Sequence, residues 1–332
     1  MVINFVVGSD LSKMGGIQKH VLCLSDELKK LNVKINWINR NDKNLTFTNK
    51  AIPGLKVLLK NFRSRENFHF FGFTCFYVAF LLNVISTKAT VIYTPCMHPF
   101  ETHSKPIFAK YFFLLFVKPM FYKVDKILVF SQFESDFYCQ YVDCSKVKIV
   151  PSGVYLDRKY KANAKVRNYF VFVGRDDQNK RLSVLEAVAK RNPNLRFKFV
   201  INNEKISTGN IEYFRGLNDE EIIDLYANAI ATVVPSKYES FSIVTLESLA
   251  AGTPVIISEN VQIREFLSND IKLVINEVDL VNNLEIALIK FHNARNDMDD
   301  VSNSARKNAQ KFEWSNIAKL NFETYSELDC LC

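Results

Sequence analysis

Short apolar runs alternate with longer amphipathic segments along most of the chain. The short runs are rich in Val, Ile and Phe, which is typical of strands buried in a parallel sheet. We predict strands at VINFVVG (2–8), VKINWIN (33–39), TVIYTP (90–95), KILVFS (126–131), KVKIVPSGV (146–154), YFVFVGR (169–175), RFKFVIN (196–202), ATVVPS (231–236) and TPVIIS (253–258).

The amphipathic segments repeat apolar positions with helical spacing. They predict helices over 17–31, 182–191, 219–229 and from Phe241 or Ser242 to Ala251. Alternating strands and helices indicate an α/β protein with doubly wound parallel sheets. In such sheets ligands bind beyond the carboxyl ends of the strands, so two facing domains would enclose a cleft.

The length of 332 residues favours two domains. A polar stretch at 157–168 separates two rounds of strands and helices, so we expect an N-terminal domain over 1–160 and a C-terminal domain over 161–311. The net charge of +8 is unevenly divided, because residues 1–160 hold 22 Lys and Arg against 11 Asp and Glu. A basic first half favours an anionic partner such as a membrane surface or a phosphorylated substrate. Nucleic acid is disfavoured, because the lysines are scattered and no binding motif accompanies them.

The seven cysteines are odd in number and include no CxxC pair and no zinc-ligand spacing. We therefore expect reduced thiols in a cytoplasmic protein. The N-terminus also lacks the basic start and small-residue cleavage site of a signal peptide.

Two apolar runs, 68–86 and 109–122, raise the question of a membrane. The first has 19 residues without a formal charge, close to the roughly 20 that a spanning helix needs. Polar or helix-weakening residues interrupt both runs: His69, Gly72, Thr74, Asn83, Lys110 and Lys118. We expect buried helices of an α/β domain here, and contact with a membrane surface is the alternative interpretation.

Two carboxylates flank a predicted helix start in the second domain. Strand 231–236 ends, a short loop carries Glu239, and Glu247 falls in the first two turns of the next helix. A helix N-terminus offers unpaired N–H groups and a partial positive charge, which suit a phosphate. Ser240 and Ser242 are candidate N-caps. The two carboxylates would hold hydroxyl groups on either side of a bound diphosphate.

The complete string PSKYESFSIVTLESLAAGTPVI (235–256) resembles the donor-binding signature of retaining glycosyltransferases of family 4. The resemblance runs from about residue 2 to 328 and is most specific over 169–258. It implies the GT-B fold, a nucleoside-diphosphate-sugar donor with UDP favoured, and no metal or other cofactor. It also implies that the segment over about 312–330 forms a helix that packs back on the N-terminal domain.

The resemblance assigns roles to particular residues. Glu239 would orient the sugar hydroxyls, and Glu247 would bind the ribose hydroxyls. Arg175 and Lys180 would hold the diphosphate, and His98 would lie near the donor sugar, with His103 as a competitor. Other donor-binding positions implied are the N-terminal glycine loop, the junction glycine, the segment near the base and the N–H groups at the helix start: Gly15, Gly16, Gly153, Tyr213, Phe241, Ser242, Ile243 and Val244.

Three features depart from the family or compete with its pattern. Ser242 and Arg181 stand where the family usually has glycine. Asp176 and Asp177 are adjacent rather than spaced as a metal-binding DxD, so we expect them in a solvated loop.

The sequence therefore predicts retaining transfer of a sugar to a glycan acceptor. The basic, aromatic-rich first half favours a lipid-linked, lipopolysaccharide, capsule or O-antigen acceptor of bacterial type at the inner membrane face, and a soluble acceptor is the alternative. A nucleotide-sugar epimerase of the same fold and a non-catalytic nucleotide-sugar-binding subunit remain as rival functions. A dinucleotide-dependent oxidoreductase is disfavoured, because no GxGxxG follows any strand.

Overall fold

The computed structural model describes residues 1–8, 11, 15–39, 66–72, 89–96, 118–121, 124–156, 167–296 and 298–329. The chain divides into two compact units, one of Met1–Gly153 with Trp314–Cys332 and the other of Val154–Glu313. The first division thus falls after Gly153 rather than near residue 160, and the C-terminal segment returns to the first unit.

Each unit is built on a parallel sheet. The strands of the first sheet are β1 (Val2–Val7), β2 (Lys34–Asn39), β3 (Asn67–Phe71), β4 (Thr90–Thr94), β5 (Lys126–Val129) and β6 (Val147–Ile149). The strands of the second sheet are β7 (Tyr169–Val173), β8 (Arg196–Val200), β9 (Ile211–Phe214), β10 (Ala231–Val234), β11 (Val255–Ser258) and β12 (Lys272–Ile275). Their orders are β2-β1-β3-β4-β5-β6 and β12-β11-β10-β7-β8-β9.

Helices connect and flank these strands. They are α1 (Gly16–Lys30), α2 (Lys118–Phe121), α3 (Gln132–Cys139), α4 (Leu182–Arg191), α5 (Asp219–Ala227), α6 (Ile243–Ala250), α7 (Leu280–Asn293), α8 (Asp299–Gln310) and α9 (Trp314–Asp329). Short 3₁₀ turns cover Cys144–Lys146 and Gln262–Phe266. The predicted α/β class with two doubly wound parallel sheets is therefore confirmed.

Apolar side chains on both faces of each sheet explain why the strands read as continuous apolar runs. In the first unit the core includes Phe68, Phe70, Val91 and Tyr93, all buried. In the second unit the core is built from residues of β7, β8, β11 and the helices beside them, including Phe170, Phe172, Leu185, Phe197, Phe199 and Ile256.

The apolar run at 68–86 begins as a strand, so the helix predicted there is wrong for its first part. Residues 67–71 form β3, which pairs in parallel with β1 on one side and β4 on the other. Strand pairing overrides helix formation here because β1 and β4 satisfy the backbone hydrogen bonds of β3, while the core buries every side chain from Phe68 to Phe71. Residues 73–88 and 109–117 lie outside the described residues. Within the described ranges, no helix combines the length and apolar character that crossing a membrane requires.

Two cysteines of the first unit lie side by side: Cys139 at the end of α3 and Cys144 in the following 3₁₀ turn have Cα atoms 4.8 Å apart. The short turn between the two elements brings these two cysteines together, five positions apart in sequence. The reduced state of the thiols stays a prediction. Cys75, Cys330 and Cys332 lie outside the described residues.

Candidate functional site

The second sheet reverses its strand order between β7 and β10. These strands are parallel neighbours, and the chain proceeds to β8 and β9 on one side and to β11 and β12 on the other. In open α/β sheets the crevice at the carboxyl ends of such a strand pair is the usual ligand site. The loop after β7 carries Arg175 and Lys180, and the loop after β10 carries Glu239. Two loops distant in sequence thus lie side by side at the carboxyl ends of β7 and β10.

Direct hydrogen bonds join these two loops. The backbone N–H of Lys237 donates to the carbonyl of Asn179 at 2.7 Å. The Asn179 side chain donates to the carbonyl of Tyr238 at 3.0 Å and accepts from the Tyr238 N–H at 3.3 Å. Asn179 therefore fixes the loop after β10 against the loop after β7, a role that the sequence did not reveal.

An ion pair lies where the loops meet. The Nζ atom of Lys180 is 2.8 Å from Oε1 of Glu239, and the two side chains are only 17% and 11% exposed. The Ser236 hydroxyl donates to the same carboxylate oxygen at 2.5 Å. The backbone of Glu239 bonds to Asn260 and Gln262, so the loop is also anchored to the segment after β11. A shielded ammonium and a fixed carboxylate can together hold an anionic group and a neighbouring hydroxyl.

Helix α6 begins directly after this pair. Ser242 is its N-cap, and its hydroxyl accepts from the Thr245 N–H at 3.4 Å and from the Thr245 hydroxyl at 3.0 Å. Ser240, the other candidate cap, instead donates to the Tyr238 hydroxyl at 3.4 Å. Phe241 is buried and packs against Phe312 and a second phenylalanine, which anchors the helix start. The first N–H groups of a helix have no intrahelical partner, so this end can receive a phosphate.

Glu247 lies inside α6 and is half-buried. Its Oε2 accepts a hydrogen bond from the Tyr226 hydroxyl at 3.4 Å. Burial raises the pKa of Tyr226 well above its usual value, and the charge of Glu247 raises it further. Tyr226 therefore stays a protonated donor that steadies the Glu247 carboxylate.

Arg175 is more exposed than Lys180. Its side chain is 70% exposed and lies 3.1 Å from the carboxylate of Asp177. Asp176 pairs with Lys205 at 2.9 Å instead. In the part of the chain that the structure describes, no three His, Cys, Asp or Glu side chains cluster as metal ligands would.

A polar network connects β9 with α4 and with the loop after β8. The Tyr213 hydroxyl donates to Glu186 at 2.6 Å, and Lys205 donates to the same carboxylate oxygen at 2.8 Å. Burial raises the pKa of Tyr213, and its hydrogen bond to Glu186 adds to the rise. The sequence singled out Tyr213 but missed Glu186 and Lys205. Lys205 follows a predicted strand, which is the signal that would have found it.

Three glycines of the predicted site belong to the first unit. Gly15 is the N-cap of α1, and Gly16 is its first residue. A Cβ on Gly153 would lie 2.4 Å from the ring of Trp314, so only glycine fits there without a shift. His98 and His103 lie outside the described residues.

Comparison with known proteins gives a family match within the second unit. Residues 156–308 match the family described as "Glycosyl transferases group 1". The match covers the loops after β7 and β10 and the whole of α6.

Among curated relatives, the uncharacterized glycosyltransferase MJ1607 of Methanocaldococcus jannaschii is 29% identical over 110 residues, 33% of this chain and 28% of that protein. An uncharacterized 41.2 kDa protein in the cps region of Klebsiella pneumoniae is 24% identical over 285 residues, 79% of each chain. The chain spans only 28% of MJ1607 and 33% of a second relative, the sulfoquinovosyl transferase SQD2 of Arabidopsis thaliana.

Solved structures show the fold. Sucrose-phosphate synthase from Thermosynechococcus elongatus superposes with a TM-score of 0.83 at 18% identity, covering 100% of both chains. Anabaena HepE in complex with UDP and glucose gives a TM-score of 0.74 at 13% identity, covering 98% of this chain and 99% of that one. The fold is the GT-B glycosyltransferase fold.

Proposed function

We propose that this protein is a retaining, metal-independent glycosyltransferase that moves a sugar from a nucleoside diphosphate to a glycan acceptor. The observation that carries the proposal is the shielded Lys180–Glu239 pair at the strand-order reversal of the second sheet. It lies beside the N-terminus of α6, within the segment that matches group 1 glycosyl transferases.

The leaving diphosphate would bind between the Lys180 ammonium and the N–H groups from Phe241 to Val244. Negative charge grows on this group as the sugar bond breaks, and preorganised donors stabilise that charge more than they stabilise the bound donor. Arg175 would add a second cation, because its exposed guanidinium can leave Asp177 for a phosphate.

The two carboxylates would hold the sugar and the nucleoside. When the diphosphate takes Lys180 as its partner, Glu239 becomes available to accept hydrogen bonds from the sugar hydroxyls. Glu247, steadied by Tyr226, would accept from the ribose hydroxyls. We assign supporting roles in donor binding to Gly15, Gly16, Gly153 and Tyr213, and a catalytic role near the donor sugar to His98.

UDP is the nucleotide we favour, in line with the UDP bound to the structurally similar Anabaena protein. Thermal unfolding with UDP, GDP, ADP and TDP tests the donor site. A nucleotide at 100 times its Kd adds about 2.7 kcal/mol of stability, which raises the melting temperature by several degrees. We expect one nucleotide to give this shift in the wild type and in the surface control Lys190→Ala, and not in Lys180→Ala or Glu247→Ala. No shift with any nucleotide, or an equal shift in all four proteins, would overturn the donor site.

For the acceptor we propose a lipid-linked or lipopolysaccharide-type glycan at the inner face of a membrane. The positive charge of residues 1–160 supports this proposal, as does the place of the Klebsiella relative in a cps region. We expect vesicles containing anionic lipid to retain the protein at low salt and release it at high salt, because salt screens surface charges. Failure to bind at low salt would favour a soluble acceptor.

Product analysis separates the transferase from its two rivals. A transferase releases free nucleoside diphosphate from the donor. An epimerase would return an isomeric sugar still joined to the nucleotide, and a binding subunit would return the donor unchanged.

A further inference from the structure

Arg181 follows Lys180 directly and adopts a backbone conformation that suits glycine. Its φ of 53° and ψ of 37° lie in the left-handed region, at the N-cap of α4. A side chain at such a position is strained, and glycine there is not. The side chain is only 18% exposed, so most of its contacts are with other residues of the protein.

The guanidinium of Arg181 binds one carboxylate through hydrogen bonds from both of its terminal nitrogens. The Nη1 and Nη2 atoms lie 2.7 and 2.6 Å from the two carboxylate oxygens of Glu277. The same Nη1 atom is 3.5 Å from the carbonyl of Pro235, directly after β10. This bidentate geometry fixes the orientation of the guanidinium relative to the carboxylate as well as their distance, which a lysine could not do.

Glu277 is itself anchored near the edge strand β12 of the second sheet. It follows β12, and its backbone N–H donates to the Glu259 carboxylate at 3.0 Å, directly after β11. The contacts of Arg181 and Glu277 therefore connect the loop after β7 with the ends of β10, β11 and β12.

Lys180 is placed by this arrangement. Its own backbone N–H donates to the Asp177 side chain at 2.9 Å, and the Arg181 N–H donates to the Asp177 carbonyl at 3.2 Å. Neighbouring residues thus carry two ion pairs, Lys180 with Glu239 and Arg181 with Glu277. The Arg181 pair fixes the backbone from which the Lys180 side chain reaches the candidate diphosphate site.

We propose that Arg181 and Glu277 are positioning residues that hold Lys180 at the leaving diphosphate. The inference rests on the proposed function and deepens it. Both terminal nitrogens of Arg181 donate hydrogen bonds to the Glu277 carboxylate. Arg181 therefore acts through Lys180 and not on the donor itself. A glycine at this position would supply the backbone conformation but no link to β12.

Steady-state kinetics of nucleotide release test the proposal. The probes are UDP-glucose, UDP-galactose, GDP-mannose and ADP-glucose, with water as the acceptor and the full chain as the enzyme. The variants are Arg181→Gly, Arg181→Lys, Glu277→Gln and the double variant Arg181→Gly/Glu277→Gln, with Lys180→Ala as reference and Lys190→Ala as surface control.

We expect Arg181→Gly to lower kcat about fivefold or more and to change the donor KM less than about twofold, because a displaced Lys180 mainly loses transition-state contacts. Its melting temperature should not fall, since glycine relieves the left-handed strain. Arg181→Lys should recover part of kcat. The double variant should be no slower than the slower single variant, because both changes break one contact.

The outcomes distinguish failure of the positioning role from failure of the proposed function. If Arg181→Gly keeps the wild-type kcat while Lys180→Ala is slow, the positioning role is wrong and the proposed function stands. If kcat in Arg181→Gly falls only in parallel with its melting temperature, the pair is structural and the positioning role is also wrong. If Lys180→Ala releases nucleotide as fast as the wild type, or the folded wild type releases none with or without a glycan acceptor, the proposed function itself is wrong.

Discussion

The C-terminal helix α9 is joined to the first sheet by a fully buried hydrogen bond. The Tyr325 hydroxyl lies 2.7 Å from Nδ1 of His69 in β3, and Nε2 of His69 lies 2.7 Å from the Thr94 hydroxyl. His69 is 0% exposed and Tyr325 is 1% exposed. Tyr325→Phe keeps the ring and removes only the hydroxyl, so it leaves Nδ1 of His69 without this partner in a site that water does not reach.

A buried polar group left unsatisfied costs about 1–3 kcal/mol. The first unit has about 170 residues, and in units of this size 1 kcal/mol shifts the melting temperature by about 2–4 °C. We therefore expect Tyr325→Phe to unfold about 2–12 °C below the wild type. Calorimetry gives this shift directly.

Glu323→Gln is the matched control, because Glu323 is exposed on the same helix. It should leave the melting temperature unchanged. The double variant His69→Leu/Tyr325→Phe should lose less stability than the sum of the two single variants, since both remove one contact. A fall below about 1 °C in Tyr325→Phe, or one equal to that of the control, would refute the role of this hydrogen bond.

Three further predictions concern single residues. Burial lowers the pKa of His20 to about 3, so below pH 6.5 the unfolded chain binds a proton at this residue and the folded chain does not. The free energy of unfolding should therefore drop by about 2 kcal/mol between pH 7.5 and 5 because of His20 alone. This contribution of His20 should be absent in His20→Phe. Ser242, at a φ of 90°, is strained, so Ser242→Gly should stabilise the second unit by about 0.5–1 kcal/mol in calorimetry, and a lower melting temperature would contradict this. Gly153→Ala should cost about 1–3 kcal/mol in denaturant unfolding because of the clash with Trp314, and wild-type stability would show that the ring moves freely.

Local patterns sufficed to predict most of the sheet elements. The predicted helix over 182–191 is α4, and the predicted strand over 2–8 contains β1. Such segments are predictable because burial on both faces leaves an uninterrupted apolar run. Strand β3 was missed because its sequence, NFHFF, continues into a long apolar run, and periodicity alone does not distinguish a buried strand from a buried helix.

The residues of the candidate site were predictable in kind but not in their contacts. Lys180 and Glu239 stand in a recognisable motif, yet their mutual ion pair depends on β7 and β10 being neighbours, which is a property of the whole sheet. Glu277 was missed altogether. It stands after β12, a strand that the sequence analysis did not predict, and its partner Arg181 was noted only as a departure from a usual glycine.

Nucleotide release from a nucleoside-diphosphate sugar is the measurement that tests the central claim most directly. Loss of one charged hydrogen bond costs about 1.5–3 kcal/mol, so Lys180→Ala should slow release by about tenfold to a few hundredfold. Wild type and Lys190→Ala should release free nucleoside diphosphate at the same rate from one donor of the panel. Equal release by Lys180→Ala would contradict the assignment of the diphosphate to the ends of β7 and β10, and no release from any donor by the folded wild type, with or without a glycan acceptor, would contradict sugar transfer itself.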